Sequence, residues 1–309
     1  MSLLESPPTP SLREQFGSGR IVVAPGVYDA LSAAIARAAG FQTLYLSGAS
    51  LAYTRLASPD IGLLGLTEVS ESLRAIRERT SARLIVDADT GFGNAINVMR
   101  TVRLLESAGA DAIQLEDQGF PKRCGHLRGK SLVSEAEMVG KLRAAVDARR
   151  SAHTLIIGRT DAIAVDGIEA ALERAERYVE AGADILFVEG IRQGDDLAQV
   201  MNRFRGRVPI MANMVEGGDT PLQTASELGE AGFSLVIFPG ALVRAFAHMA
   251  ERFFASLAQA GTTRPFWAEM LDFKQLNELL GTAELLAIGQ RYAPESQPTH
   301  APAQPSVRT

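Results

Sequence analysis

The chain has 309 residues, 46% of them hydrophobic, and a formal charge of −5, which is ample apolar mass for one large core or two modest ones. Mild acidity without a basic block argues against nucleic acid as a partner, and no apolar run reaches the roughly 18 residues of a membrane span. A single cysteine excludes an intrachain disulfide and fits a reducing compartment; Met1-Ser-Leu-Leu-Glu-Ser-Pro-Pro8 lacks the basic start and apolar core of a secretory signal, so a cytoplasmic location is expected.

Residues 1–14 read as a flexible N-terminal segment, with Leu12–Phe16 suited to a short helix. From there a short β-branched or aliphatic run, a polar turn and an amphipathic Ala-rich stretch recur. The predicted strands are Ile21–Ala24, Thr43–Leu46, Leu84–Ala88, Ala112–Leu115, Leu155–Gly158, Ile185–Val188, Pro209–Ala212 and Leu235–Phe238. The helices between them are Asp29–Ala39, Thr67–Thr80, Ala95–Ala108, Glu135–Arg149, Ile168–Ala181, Asp195–Phe204 and Pro221–Ala231. Continuous apolar strands are those of a parallel sheet buried on both faces. Four linkers, containing Gly40, Gly109, Gly182 and Gly232, place glycine where a helix ends in a left-handed residue.

Eight such units predict a (β/α)8 barrel of the TIM type over residues 15–260. A doubly wound open sheet is the alternative, weakened by the lack of a Gly-rich dinucleotide fingerprint after the first strand. Beyond the barrel, Leu242–Ala260, Phe266–Leu280 and Ala283–Tyr292 read as helices. Residues 261–292 thus form a helical extension suited to contact a neighbouring subunit, or to fold back on its own barrel. The Pro-, Ser- and Gln-rich residues 293–309 read as a disordered tail.

Chemistry in such a barrel gathers at the C-terminal ends of the strands. There the chain places Tyr45, Ser47, Gly48 and Ala49; Asp87 and Asp89; Glu116 and Asp117; Arg159, Thr160 and Asp161; Glu189; and Asn213. Asp87 and Asp89, two residues apart on a strand, face one way. With Glu116 they make an oxygen-rich set suited to Mg2+, or Mn2+ in its place, rather than Zn2+; Asp89 alternatively caps the next helix. Arg159 is a two-pronged donor for a carboxylate, or a barrel-supporting partner of Glu116 or Glu189. Ser47 and the Gly48 and Ala49 amides form a small anion nest. The loop after the fourth strand carries Cys124, flanked by Lys122, Arg123 and His126, whose charge favours the thiolate. Gly119, Gly125 and Gly129 allow that loop to close as a lid. Together these point to a small anionic hydroxy or keto acid.

The chain resembles the isocitrate lyase/phosphoenolpyruvate mutase superfamily over roughly residues 15–290. The resemblance rests on Tyr45-Leu-Ser-Gly-Ala49, Pro59-Asp-Ile-Gly62, Val86-Asp-Ala-Asp-Thr-Gly-Phe-Gly93, Gln114-Leu-Glu-Asp117, Lys122-Arg-Cys-Gly-His126, Gly158-Arg-Thr-Asp161 and Asn213-Met-Val-Glu216. The Lys-Arg-Cys-Gly-His loop is similar to the signature of the short carbon–carbon lyase branch, which holds the 2-methylisocitrate and 2,3-dimethylmalate lyases. The resemblance implies Mg2+ on Asp87, Asp89 and Glu116, and Tyr45 as a base near the substrate C–OH. It implies Ser47, Gly48, Ala49 and Arg159 as holders of the α-oxyacid end, with Asp60 ordering the site. Cys124, with Lys122, Gly125 and His126 beside it, would be the acid that protonates the released carbanion, while Glu189 and Asn213 contact the far side. It also implies a homotetramer that exchanges C-terminal helices. Ser47-Gly48-Ala49 and Pro239-Gly240-Ala241 depart from the Ser-Gly-Gly and Pro-Leu-Ser stretches of methylisocitrate lyases, whereas Asn213-Met-Val-Glu-Gly-Gly218 is closer to the dimethylmalate type. The expected reaction is cleavage of a 2-hydroxy di- or tricarboxylic acid to a 2-keto acid and a carboxylic acid. Phosphonate mutase chemistry, oxaloacetate hydrolysis and a non-catalytic keto-acid-binding barrel are the alternatives.

Overall fold

The structure, a computed structural model, describes residues 9–125, 127, 129–191, 194–217 and 222–293. His126, the first eight residues and the tail from residue 294 lie outside these. Eight parallel strands form one sheet: β1 Val22–Val27, β2 Thr43–Leu46, β3 Arg83–Asp87, β4 Ala112–Glu116, β5 Leu155–Thr160, β6 Ile185–Val188, β7 Met211–Asn213 and β8 Leu235–Phe238. The order runs β6-β5-β4-β3-β2-β1-β8-β7. A parallel bridge between Leu186 and Ile210 joins its two ends and closes the ring, so the barrel stands and the open sheet does not.

Strand parity divides the side chains. Ala24, Tyr45, Ile85, Ala112, Ile157, Phe187, Met211 and Ile237 fill the lumen as one buried cluster. Their neighbours Leu44, Leu46, Leu84, Val86, Ile113, Leu115 and Ile156 point outward and pack under the helices. The lumen is therefore plugged with apolar side chains below, and only its upper end is left for polar ones. At that end Gly26 is obligatory, since a Cβ there would collide with the Pro239 backbone carbonyl.

The four linker glycines all have positive φ, +97° at Gly40, +101° at Gly109, +99° at Gly182 and +115° at Gly232, as the left-handed helix ends require. Two of the linkers continue into Asp111 and Asp184 at the opposite end of the barrel. Asp111 accepts the Leu84 amide at 2.9 Å and pairs with Arg77 and Arg83. Asp184 accepts the Ile156 amide at 2.9 Å and pairs with Arg13 and Arg149. The repeated Asp thus ties a neighbouring strand to its helices.

After the barrel the chain runs through helices Ala241–Ala260, Phe273–Leu280 and Thr282–Arg291. The stretch expected to be helical over Phe266–Leu280 is broken: Arg264–Glu269 is a 3-10 turn, and Asp272 starts a new helix by capping Gln275. No helix among the described residues is long and apolar enough to cross a membrane.

Candidate active site

Parity carries the site residues to the upper lumen. Tyr45, Asp87, Gln114, Glu116 and Arg159 share the inward register of the apolar plug, and Glu189 and Asn213 follow it on β6 and β7. Tyr45, Asp87, Glu116, Arg159 and Asn213 line a cavity of about 120 Å³ together with Ser47, Ala49, Asp60, Lys122, Cys124 and Gly125; Gln114 lies between Tyr45 and Asp87, and Glu189 lies beside Arg159 and Asn213. The structure therefore gathers nearly the whole predicted set around one space. Asp89 stands just behind, in contact with Lys122.

Ser47 is not part of an isolated nest. It caps a helix that the sequence reading missed, Gly48–Leu56, with its hydroxyl oxygen accepting the Ser50 amide at 3.2 Å. The Gly48 and Ala49 amides are the first two of that helix, where N–H groups lack intrahelical partners and the dipole favours an anion. Gly48 is tightly approached: an added Cβ would sit 3.2 Å from Asp87 Oδ2 and 3.3 Å from Asp89 Oδ1, so a side chain there would press on both carboxylates. The two aspartates thus lean on the helix start.

Asp89 reaches this place by a different route from the one expected. β3 ends at Asp87, and Asp89 has φ +47°, so it lies in a left-handed turn rather than two residues further along a strand. Nor does it cap the next helix, a task performed by Asn94. Among the described residues, no three His, Cys, Asp or Glu side chains converge as a ready metal cage; the Lys122 ammonium lies there instead, 2.5 Å from Asp60 and 2.7 Å from Asp89. Charge and valence nonetheless call for a cation. Asp60, Asp87, Asp89, Glu116, Asp161 and Glu189 are all buried, against Lys122, Lys130 and Arg159. Burial pushes Asp89 up to about 7 despite Lys122, and burial lifts Glu116 well above the carboxylate range despite Arg159. Glu116 Oε1 is buried with no hydrogen-bond partner. A surplus of buried carboxylates over cations, with an orphaned oxygen, fits a hard divalent ion, whose charge would reverse these shifts.

Tyr45 donates to Gln114 Oε1 at 3.0 Å, and Gln114 Nε2 donates to Asp87 Oδ1 at 3.1 Å. Burial, and then Asp87, hold the Tyr45 phenol well above its usual pKa. Tyr45 thus points its hydroxyl as a donor at Gln114. Arg159 is gripped by both oxygens of Asp161, at 2.9 and 3.1 Å, with Glu116 at 3.4 Å, Glu189 at 3.5 Å and the Phe187 ring 4.8 Å below. Asn213 donates to Glu189 at 3.0 Å, while its own Oδ1 is buried without a partner.

The cysteine loop is folded over this floor. Its ends are hinged by an antiparallel bridge between Gln118 and Leu132. The Cys124 amide donates to the Asp60 carbonyl at 3.1 Å. Gly125 lies so close to the floor that an added Cβ would be 2.7 Å from Arg159 Nη2. Lys122, two residues from Cys124, is engaged with the carboxylates Asp60 and Asp89. Burial works against its ammonium, but Asp89, Glu116, Asp87 and Asp60 outweigh it and raise its pKa well above the lysine value, so its charge is already spent on carboxylates.

A family model described as phosphoenolpyruvate phosphomutase matches residues 12–258. The chain belongs to the phosphoenolpyruvate mutase/isocitrate lyase superfamily. A 2,3-dimethylmalate lyase of Eubacterium barkeri is 41% identical over 282 residues, 91% of this chain and 97% of that one. A 2-methylisocitrate lyase of Aeropyrum pernix is 46% identical over 270 residues, 87% of this chain and 86% of that one. A crystal structure of 2,3-dimethylmalate lyase superposes with a TM-score of 0.84 at 37% identity, covering 91% of this chain and 93% of the other.

Three further residues of the site were given no role by the sequence reading, although it named Gln114 and Asp161 among its motifs and strand ends. Gln114, Lys130 and Asp161 connect the others: Gln114 bridges Tyr45 and Asp87, and Asp161 bridges Arg159 and Lys130. Period-two spacing from Glu116 and Arg159 was the available signal for Gln114 and Asp161. For Lys130 there was none.

Proposed function

We propose that this superfamily member is a Mg2+-dependent carbon–carbon bond lyase that splits a 2-hydroxy di- or tricarboxylic acid, of the alkylmalate or 2-methylisocitrate type, into a 2-keto acid and a carboxylic acid. The observation that carries the reading is Cys124 closed over a cavity floored by Arg159 and the Asp87–Glu116 carboxylates. The similarity to lyases supports the same chemistry. A phosphonate mutase would need no proton donor facing the cavity.

Asp87, Asp89 and Glu116 would hold the metal, which supplies Lewis acidity that makes the substrate hydroxyl easier to deprotonate and neutralises the keto acid's oxygens. The chain's own residues do the rest. Arg159 and the Gly48 and Ala49 amides bind the carboxylate of the α-oxyacid end, and Tyr45 orients the C–OH as a hydrogen-bonding hydroxyl. The hydroxyl proton passes to a carboxylate of the cavity floor, Glu116, whose Oε1 has no hydrogen-bond partner; the C–O bond becomes a carbonyl and the C2–C3 bond breaks. Its electron pair remains on C3, delocalised into the adjacent carboxylate. Cys124 then gives its thiol proton to C3. Asn213 Oδ1 and Glu189 face the departing acid, and the closed loop keeps water from the carbanion.

The assembly proposed is a homotetramer. Helix Ala241–Ala260 buries only Val243, and the next two helices bury none of their residues. Phe246, Phe254, Phe273 and Leu286 stand exposed, an apolar face suited to another copy of the chain.

A substrate panel tests the activity: 2-methylisocitrate, isocitrate, 2,3-dimethylmalate, simple 2-alkylmalates and oxaloacetate, each with Mg2+ and with EDTA, read by coupled reduction of the keto acid released or, for oxaloacetate, by the loss of its enol absorbance. The expected result is EDTA-sensitive release from an alkylmalate or from methylisocitrate. Silence on all five, with turnover of a phosphonopyruvate-type substrate, would transfer the assignment to the mutases.

A further inference from the structure

Lys130 stands at the far end of the cysteine loop and its side chain is only 3% exposed. Its ammonium donates to the Gly125 carbonyl at 2.5 Å and to Asp161 Oδ1 at 2.9 Å. Gly125 adjoins Cys124, and Asp161 is the carboxylate that grips Arg159 through both of its oxygens. One buried ammonium therefore bridges the tip of the lid and the group that orients the substrate-binding guanidinium. We propose that Lys130 is a positioning residue, a latch that holds the Cys124 loop closed and sets the thiol over the cavity.

The surroundings give the latch its strength and direction. Asp161 is itself fixed from behind. Asp117 accepts the Asp161 amide at 2.9 Å, the Thr160 hydroxyl at 2.7 Å and the Tyr178 hydroxyl at 2.7 Å. Arg174 lies 3.4 Å from the same carboxylate. Burial alone would raise the Asp161 pKa, but Arg159 and Lys130 outweigh it and hold the group ionised. The anchor is thus rigid and charged, and the movable partner is the loop. Opening the loop would strip a buried ammonium of its carbonyl partner. A charged hydrogen bond of that kind biases a two-state equilibrium by about tenfold or more. Arg159 and Lys130 share Asp161 Oδ1. A substrate carboxylate that draws the guanidinium toward itself therefore leaves more of that oxygen to Lys130, which tightens the lid when the site is filled.

The idea rests on Cys124 being the loop's chemical group, yet it can be tested without any substrate. Cys124 is the only cysteine, so alkylation by iodoacetamide, followed by mass spectrometry on the full chain, reports loop opening directly. Lys130→Met should be alkylated about tenfold faster than the parent chain, with Lys130→Gln between the two and Lys130→Arg close to the parent. With the substrate identified by the panel, kcat should fall about tenfold in Lys130→Met while KM changes less than about threefold, because the floor that binds substrate is intact. Alkylation of both Lys130→Met and Lys130→Gln at the parental rate would overturn the latch. Faster alkylation with an unchanged kcat would overturn its part in positioning the acid. The alkylation arm is independent of turnover, so a failed lyase assignment would show in the panel and a failed latch in the thiol kinetics.

Discussion

Replacing Cys124 by serine is expected to lower kcat by about 10²–10⁴-fold, the range spanned by a positioned general acid, with Mg2+ and pyruvate binding changed by less than about threefold. The thiol is the only group of its kind in the chain and lines the cavity opposite the carboxylates. A serine hydroxyl of similar size keeps the packing but is a far weaker acid, so the carbanion would be formed and recaptured by the keto acid rather than protonated. The binding floor, built from Arg159, the start of helix Gly48–Leu56 and the aspartates, has no part made by the sulfur. Steady-state kinetics and calorimetric titration of pyruvate separate these effects. Full activity in Cys124→Ser would remove the cysteine from the chemistry.

Replacing Arg159 by methionine should harm both stability and activity. Arg159 is 7% exposed and its guanidinium faces Asp161, Glu116 and Glu189 at 2.9, 3.4 and 3.5 Å. Burial disfavours its charge, but these three carboxylates outweigh the loss and raise its pKa well above the arginine value. Methionine would fill the volume and leave the carboxylates facing one another. Breaking a buried charge pair in this way costs about 3–5 kcal/mol, to be read as a lowered midpoint in denaturant unfolding. Turnover should fall by roughly 10³-fold or more, since the donor for the substrate carboxylate and the charge near the reacting oxygens are lost together. Arg159→Lys should recover most of the stability but little of the activity, because an ammonium cannot offer the planar fork. A methionine variant as stable as the parent would mean that the surrounding carboxylates are already protonated.

Much of this site was legible in the sequence because the barrel is regular. Apolar runs located all eight strands, and the rule that chemistry gathers at their C-terminal ends picked out Asp87, Glu116, Arg159, Glu189 and Asn213, where polar residues had no structural reason to be; the structure puts them on the inner face. Where the local conformation departs from that regularity, the pattern was silent. Gly48–Leu56 has a glycine start and few periodic apolar residues, so it did not read as a helix, and its role as an anion-binding terminus appeared only as a loop nest. Asp89 depends on a left-handed turn that no spacing rule anticipates. Lys122 was seen as a charge near a cysteine and Lys130 was given no role, whereas their long side chains reach back to Asp60, Asp89 and Asp161. Those partners lie 31–62 positions away in the chain, and their choice is made by tertiary packing.

The measurement that tests the account most directly is proton NMR of 2,3-dimethylmalate and 2-methylisocitrate incubated with the protein in D2O, with Mg2+ or with EDTA. Cleavage with protonation by Cys124 predicts pyruvate together with propionate or succinate, respectively. The released acid should carry one solvent-derived deuterium on the carbon that left, and EDTA should abolish the reaction. No pyruvate from either compound in the presence of Mg2+, with a phosphonate rearranged instead, would contradict it.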